Sequence, residues 1–139
     1  MGANPIVEEP LMVVTLEVNT ALPRITIAPI NAAANSKGSI HDDEKAREMG
    51  FRGGFVGGST ILAYMGRLMH DNFGRAWVET GTLNGRLRRP VYEGGDVTVE
   101  GTITEAPSDA NGGRVTVELR VVTDEGEIGA IGSATCIPA

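Results

Sequence analysis

An α+β fold, with one long apolar helix against a curved antiparallel sheet of about five strands, is predicted by three features of the 139-residue sequence. A stripe of apolar residues at helical spacing occupies about residues 58–72, in the middle of the chain. Segments that alternate apolar and polar residues follow it, as in half-buried strands. The 19 glycines recur between these segments, where tight turns need them.

The central helix is predicted from apolar residues at i, i+1, i+4, i+7 and i+8: Ile61, Leu62, Met65, Leu68 and Met69. A glycine-rich turn at 50–58 precedes it. Ser59 or Thr60 can cap its start, and Gly74 is placed where a helix ends. About 15 residues at about 1.5 Å each span about 22 Å, enough to cross four to six strands.

Before this helix the sequence predicts a loose segment at 1–10, a valine-rich strand at Leu11–Val18 and a short extended piece at Ile25–Ile27. Residues 30–39 are small and polar, which indicates a loop. A short helix is predicted at Asp42–Met49, because acidic residues lie in its first turn and basic residues follow them.

After Gly74 the sequence predicts strands throughout. They are expected at Thr82–Arg89, 97–104, 115–121 and Ile128–Ile137, separated by turns at Tyr92–Asp96, Asp109–Gly113 and Asp124–Gly126. Long strands joined by short turns favour an antiparallel meander.

The composition narrows the classes of function. A net charge of -6 disfavours nucleic-acid binding, and no apolar run reaches the roughly 18 residues of a membrane span. No secretory signal pattern begins the chain. The single cysteine, Cys136, cannot form an internal disulfide, so a reducing cytoplasmic compartment is expected, with Cys136 packed in a strand.

Four stretches carry a family pattern: Ile40–Phe51, 53–58, Leu87–Asp96 and 125–134. Together with the order of elements, they resemble the MaoC-like dehydratases, also called (R)-specific enoyl-CoA hydratases. The resemblance covers roughly residues 11–138 and implies a single hotdog domain over residues 1–139. It also implies a homodimer or higher homo-oligomer, and a substrate whose acyl group is bound to CoA or a carrier protein.

The sequence departs from the family at its catalytic motif, D-x-N-P-x-H, whose Asp and His are the acid–base pair. Counting back from His41 places Ser36 at the Asp position. Aligning through the following acidic residues places Ile40 at the His position and Asn35 at the Asp position. Neither alignment supplies the carboxylate.

The predicted catalytic residues are His41, Asn35 and Asp42. Histidine suits proton transfer near neutral pH, and an asparagine amide can orient water or substrate. Asp42 could replace the missing carboxylate. Each has a structural alternative, since His41 could pack on the short helix and Asp42 could cap it.

The predicted substrate-binding residues are Gly57, Gly58, Ser59 and Arg88. Backbone N–H groups at a helix N-terminus can polarise a thioester carbonyl, a role that the resemblance implies for Gly58. The alternative is a tight turn that needs glycine. Arg88, with Arg86 and Arg89, could pair with phosphates or simply be solvated.

No metal and no cofactor are expected, because two histidines and one cysteine form no ligand pattern and no Gly-Lys-Ser/Thr follows the glycines. Three functions remain open. The first is a hydro-lyase on an acyl thioester. The second is a thioesterase, or a biosynthetic dehydratase or cyclase, on the same fold. The third is a non-catalytic subunit that binds a small molecule, which the missing aspartate favours.

Overall fold

The computed structural model describes residues 15–139. In chain order the elements are β1 (Ile25–Ile27), α1 (Asp43–Glu48), α2 (Gly58–Phe73), α3 (Arg75–Thr80), β2 (Thr82–Leu87), β3 (Val97–Glu105), a 3-10 turn (Asp109–Asn111), β4 (Val115–Val122) and β5 (Ile128–Cys136). The predicted loop at 30–39, the short helix and the turns near 94 and 126 are confirmed.

The part of the chain from residue 15 onward forms one five-stranded sheet, with every pair antiparallel and the strand order β1-β3-β4-β5-β2. The predicted meander is correct for β3, β4 and β5 alone. The strand that follows α2, β2, pairs with β5 at the far edge instead of with its sequence neighbour β3. The chain must therefore cross the sheet between β2 and β3.

A row of glycines in the sheet lies beneath α2. A Cβ built on Gly85 of β2 would lie 2.1 Å from Leu62, and one on Gly132 of β5 would lie 2.8 Å from Met65. On β3, a Cβ at Gly101 would lie 3.1 Å from Leu68. The contacting helix residues are spaced i, i+3 and i+6, so α2 crosses the strands with its N-terminus at the β2 edge.

The two ends of α2 differ from each other in how they are capped. Gly57 is the N-cap residue and no side chain of residues 15–139 caps this end, so the predicted cap by Ser59 or Thr60 is wrong. A glycine N-cap leaves the first N–H groups without a side-chain acceptor. At the other end Gly74 has φ 55, and its N–H donates to the carbonyl oxygen of His70, which confirms the predicted stop.

Two predicted strand regions are wrong where the structure describes them. Residues 15–18 form no strand, and a turn at Val18 and Asn19 follows, with Asn19 at φ 70. Residues 1–14, including the predicted loose segment and most of the first strand, lie outside the described residues. After Gly74 the chain forms α3 before any strand, with Trp77 packed against the core and Arg75 paired with Glu79 at 2.8 Å.

The core fills the space between α2 and the sheet. Its fully buried side chains include Ile61, Met65, Leu68 and Met69 from α2 and alternate valines from β3 and β4. Cys136 is buried in β5, as expected. Burial raises the pKa of its thiol to about 11, although nearby Arg114 opposes the shift. No helix within residues 15–139 is long and apolar enough to cross a membrane.

Candidate functional site

The His41 ring lies beside the N-terminus of α2. Its Nδ1 is 2.8 Å from the carbonyl oxygen of Phe55. A carbonyl oxygen can only accept, so Nδ1 carries the proton in the neutral ring and Nε2 is left with a free lone pair. A Cβ built on Gly57 would lie 3.9 Å from Nε2. The ring carbon Cε1 is slightly closer, at 3.7 Å, so the Cε1–Nε2 edge of the ring borders the first turn of the central helix.

The backbone of His41 is also held. Its carbonyl oxygen accepts a hydrogen bond from Asn31 Nδ2 at 2.9 Å, and its N–H donates to Ser39 Oγ at 3.3 Å. Gly54 packs against the same carbonyl so closely that a Cβ there would lie 2.1 Å from the oxygen. No side chain fits at position 54 without moving His41.

The glycine-rich turn that supplies the Phe55 carbonyl is fastened at several points. The N–H of Gly54 donates to Asp43 Oδ1 at 2.8 Å, and the N–H of Val56 donates to the Val91 carbonyl at 2.8 Å. The Phe55 ring makes edge-to-face contacts with His41, Phe51 and Tyr92. These contacts fix the acceptor to which His41 is anchored.

The N-terminus of α2 offers backbone donors. The N–H groups of Gly58 and Ser59 belong to the first helical turn, where no intrahelical carbonyl can reach them. Leu87, at the end of β2, covers this turn, because a Cβ on Gly58 would lie 2.9 Å from Leu87 Cδ1. Leu87 is itself half exposed. The corner that His41 forms with the N-terminus of α2 therefore lies at the surface, on the β2 edge of the sheet.

The structure brings His41, Gly57 and Gly58 together but separates the other predicted residues from them. Asn35 is exposed in the loop, and Ser59 is exposed on α2. Asp42 caps α1, with its carboxylate accepting from the Lys45 N–H at 3.3 Å. Arg88 is exposed just after β2, and its backbone N–H donates to the Gly129 carbonyl. The catalytic and binding roles of all seven residues remain predictions.

Sequence reasoning missed Asn31, a buried residue in contact with His41. Its position in a stretch of small residues carried no periodic or motif signal. Among residues 15–139, no carboxylate hydrogen-bonds to the His41 ring, and no group of three or more His, Cys, Asp or Glu residues could hold a metal ion.

A charged depression of about 570 Å³ is lined by Arg52, Tyr92 and Glu125, among others, and His41 is not part of its lining. The Arg52 guanidinium lies 4.2 Å over the Tyr92 ring and 3.0 Å from Glu125. Its hydrogen bond to Glu125 raises the pKa of Arg52. These contacts fasten the glycine-rich turn to the β4–β5 hairpin.

Comparison with solved structures identifies the architecture. One chain in the structure of the ChsH1–ChsH2 complex from Mycobacterium tuberculosis matches at a TM-score of 0.70 and 20% identity, covering 88% of this chain and 98% of that one. The (R)-hydratase from A. caviae involved in PHA biosynthesis matches at 0.68 and 20% identity, covering 88% and 97%. A MaoC-like dehydratase from Rhodospirillum rubrum matches at 0.66 and 19%, covering 88% and 94%.

The chain has a hotdog fold. The predicted resemblance to MaoC-like dehydratases and (R)-hydratases is confirmed at the level of the fold, with structural neighbours 16–20% identical to this chain. No protein-family model and no curated protein sequence matches the chain. Fold does not determine activity, so the chemistry of this hotdog depends on the groups that meet beside His41.

Proposed function

We propose that this hotdog protein is a hydro-lyase that adds or removes water across the α,β bond of an acyl thioester, at the corner formed by His41 and the N-terminus of α2. One observation carries the proposal: the Phe55 carbonyl holds Nδ1–H, which leaves Nε2 unprotonated on the ring edge that borders Gly57. A base then lies next to the helix turn that carries the free backbone donors, and hydration of a conjugated thioester requires both kinds of group.

In the proposed reaction the Gly58 N–H donates to the thioester oxygen and stabilises the enolate that forms on it. His41 Nε2 accepts a proton from water while the water oxygen bonds to the β-carbon. The same proton then passes from the imidazolium to the α-carbon, the enolate collapses, and the sum is one water added. Asn35 remains a hypothesis for orienting water, and Asp42 for catalysis, although its carboxylate caps α1.

Arg88 is the proposed contact for the phosphates of a CoA or carrier-protein arm. It is exposed and follows Leu87, which covers the first turn of α2. A thioester bound at Gly58 could thus extend along the end of β2 toward a guanidinium, which suits phosphate oxygens. We place the reaction in the cytoplasm, where the buried Cys136 thiol stays reduced.

We also propose a homodimer in which two chains meet along the β2 edge of the sheet. Within residues 15–139, β2 pairs with β5 alone, so its outer backbone groups are available to a second chain. One structural neighbour is itself a complex of two proteins. Light scattering behind size-exclusion chromatography should give twice the chain mass, and a monomer at micromolar concentration would contradict the dimer.

The experiment that tests the activity is product analysis after incubation with crotonyl-CoA and longer enoyl thioesters. The proposal predicts 3-hydroxyacyl products, with the thioester intact and no free thiol. Release of free thiol would instead identify a thioesterase. If every enoyl thioester in the series, whether bound to CoA or to a carrier protein, is returned unchanged, the hydro-lyase proposal fails.

A ligand-binding subunit without turnover is the second candidate. It is favoured by one observation, the lack of a carboxylate bonded to His41 within residues 15–139. Calorimetry with a non-reactive acyl-CoA separates it from the enzyme. Binding accompanied by no conversion of the matching enoyl-CoA would favour this candidate.

A further inference from the structure

Asn31 is a buried amide in the loop that precedes His41. It is 8% exposed, and with Asn72 it makes up the buried polar side chains of residues 15–139. Burying an amide costs free energy unless its polar atoms are hydrogen-bonded, so its contacts are informative. Loops are mostly solvated, and a buried asparagine in one indicates a specific partner.

The hydrogen bonds of Asn31 link three segments of the chain. Its backbone N–H donates to the Glu93 carboxylate in the turn before β3. Its side-chain Nδ2 donates to the His41 carbonyl oxygen at 2.9 Å. Its Oδ1 is buried and accepts no hydrogen bond from the described residues. The Asn31 side chain therefore acts as a hydrogen-bond donor, and its acceptor is the backbone carbonyl oxygen of His41.

Besides the local hydrogen bond of its N–H to Ser39, His41 is attached to more distant segments through its ring and through its carbonyl. Its ring is held through Nδ1 by the Phe55 carbonyl, and its own carbonyl is held between the Asn31 amide and the Gly54 backbone. The ring and the carbonyl of His41 thus both contact the glycine-rich turn, at Phe55 and Gly54 respectively. Removing the Asn31 donor leaves a part-buried carbonyl without this hydrogen bond, which favours a shift of the His41 backbone toward water.

We propose that Asn31 is a positioning residue, which sets the direction of His41 Nε2 by holding the His41 backbone against the glycine-rich turn. The inference rests on the proposed function, in which Nε2 is the base. Asn31 acts through His41 and touches no reacting atom. Misplacing a base by about 1 Å costs up to about 100-fold in rate, so the loss should fall on kcat.

The test uses Asn31→Ala and Asn31→Asp in the full chain. Asn31→Asp keeps the shape but, when ionised, has no hydrogen to donate. Both variants should lower kcat for enoyl-CoA hydration by about 10–100-fold, with KM within about threefold of wild type. Asn72→Ala is the matched control, because it removes the other buried amide side chain. Asn72 lies near the C-terminus of α2, where its Nδ2 donates to the Leu68 carbonyl oxygen. This control substitution should lower the melting temperature and leave kcat unchanged.

A second measurement needs no activity. The chain has two histidines, so nitrogen-15 labelling of histidine gives two ring systems, and His41→Ala assigns them. Wild type should show the Nδ1–H tautomer at His41, whereas folded Asn31→Ala should show a mixture of tautomers. If wild type hydrates no thioester, the proposed function fails while this spectrum still tests Asn31. A folded Asn31 variant with an unchanged tautomer, or with kcat within about twofold of wild type, would overturn the inference.

Discussion

The middle of α2 and its N-terminus are built on different principles. In the middle, apolar side chains at helical spacing pack against a row of sheet glycines, and Met65 and Leu68 are fully buried. At the N-terminus, backbone carbonyls and amides from the His41 loop, the glycine-rich turn and the helix meet at close range. The first region is fixed by apolar burial, the second by directional hydrogen bonds.

This difference separates stability from chemistry. Apolar burial is non-directional and tolerates small displacements, whereas proton transfer needs a heavy-atom geometry held within a few tenths of an ångström. We therefore expect substitutions in the middle of α2 to change the free energy of unfolding with little effect on activity. Substitutions at the corner should lower activity strongly and the free energy of unfolding less than substitutions in the middle of α2 do.

Met65→Ala should give the largest loss of stability. Met65 is fully buried against Gly132, so truncation leaves a cavity and should lower the free energy of unfolding by about 2–5 kcal/mol. Denaturant titration measures the loss. Met49→Ala is the control: Met49 is exposed, and its truncation should change stability by less than about 0.5 kcal/mol. Equal effects at the two methionines would show that α2 does not anchor the core.

Gly54→Ala should disturb the corner more than the core. The added Cβ would lie 2.1 Å from the His41 carbonyl oxygen, so His41 must move. Hydration activity should fall by about 10–100-fold, with a loss of stability of about 1–3 kcal/mol.

Gly66→Ala is the matched control for this substitution. It lies within α2, where a Cβ would come no closer than 3.9 Å to Trp77, and alanine there should stabilise by up to about 1 kcal/mol without changing activity. Full activity in Gly54→Ala would contradict the importance of the close approach at His41.

The buried thiol of Cys136 should make the core sensitive to alkaline pH. Its pKa is raised from 9.0 to about 11 in the folded protein, so the unfolded chain loses this proton first as the pH rises. The protonated thiol's contribution to the free energy of unfolding is complete below pH of about 9 and is lost progressively toward pH of about 11. Over this range the free energy of unfolding should fall by up to about 1.4 kcal/mol per pH unit.

Urea titrations across this range should show that slope in wild type and a smaller one in Cys136→Ala. The difference between the two proteins isolates the thiol from the other groups that titrate in alkali. Identical slopes would mean that Cys136 ionises as freely in the folded protein as in the unfolded chain.

Arg88→Ala should have the smallest effect. If Arg88 meets phosphate oxygens, KM for enoyl-CoA should rise about 3–10-fold while kcat is unchanged, since removal of one exposed charge costs about 1 kcal/mol. For a pantetheine thioester, which lacks the nucleotide phosphates, the variant and wild type should have the same KM. Arg75→Ala is the control, because Arg75 pairs with Glu79 on α3. An unchanged KM for enoyl-CoA in Arg88→Ala would remove Arg88 from the site.

The sequence predicted the regular part of the fold well. The helix at 58–72 and the three strands from Val97 onward were predictable because apolar periodicity records which face is buried. The helix at Arg75–Thr80 was missed because six residues are too few to establish a period. The placement of β2 beside β5 is a property of chain topology, and local spacing carries no information about it.

The site was predictable in part, for a physical reason. His41 and the glycines at 57 and 58 were found because residue type and the family resemblance both indicated them. Asn31 was not, because its importance comes from a tertiary hydrogen bond to a backbone atom ten residues away. The N-cap of α2 was misassigned to Ser59 or Thr60 because glycine gives no side-chain signal at that position.

The measurement that tests the central claim most directly is kcat/KM for enoyl-CoA hydration in His41→Ala beside His70→Ala. These are the two histidines of the chain. If Nε2 of His41 is the base, His41→Ala should lose about 10²–10⁴-fold and stay folded by circular dichroism, with His70→Ala close to wild type. A folded His41→Ala protein with wild-type kcat/KM would contradict the assignment of the corner as the catalytic site.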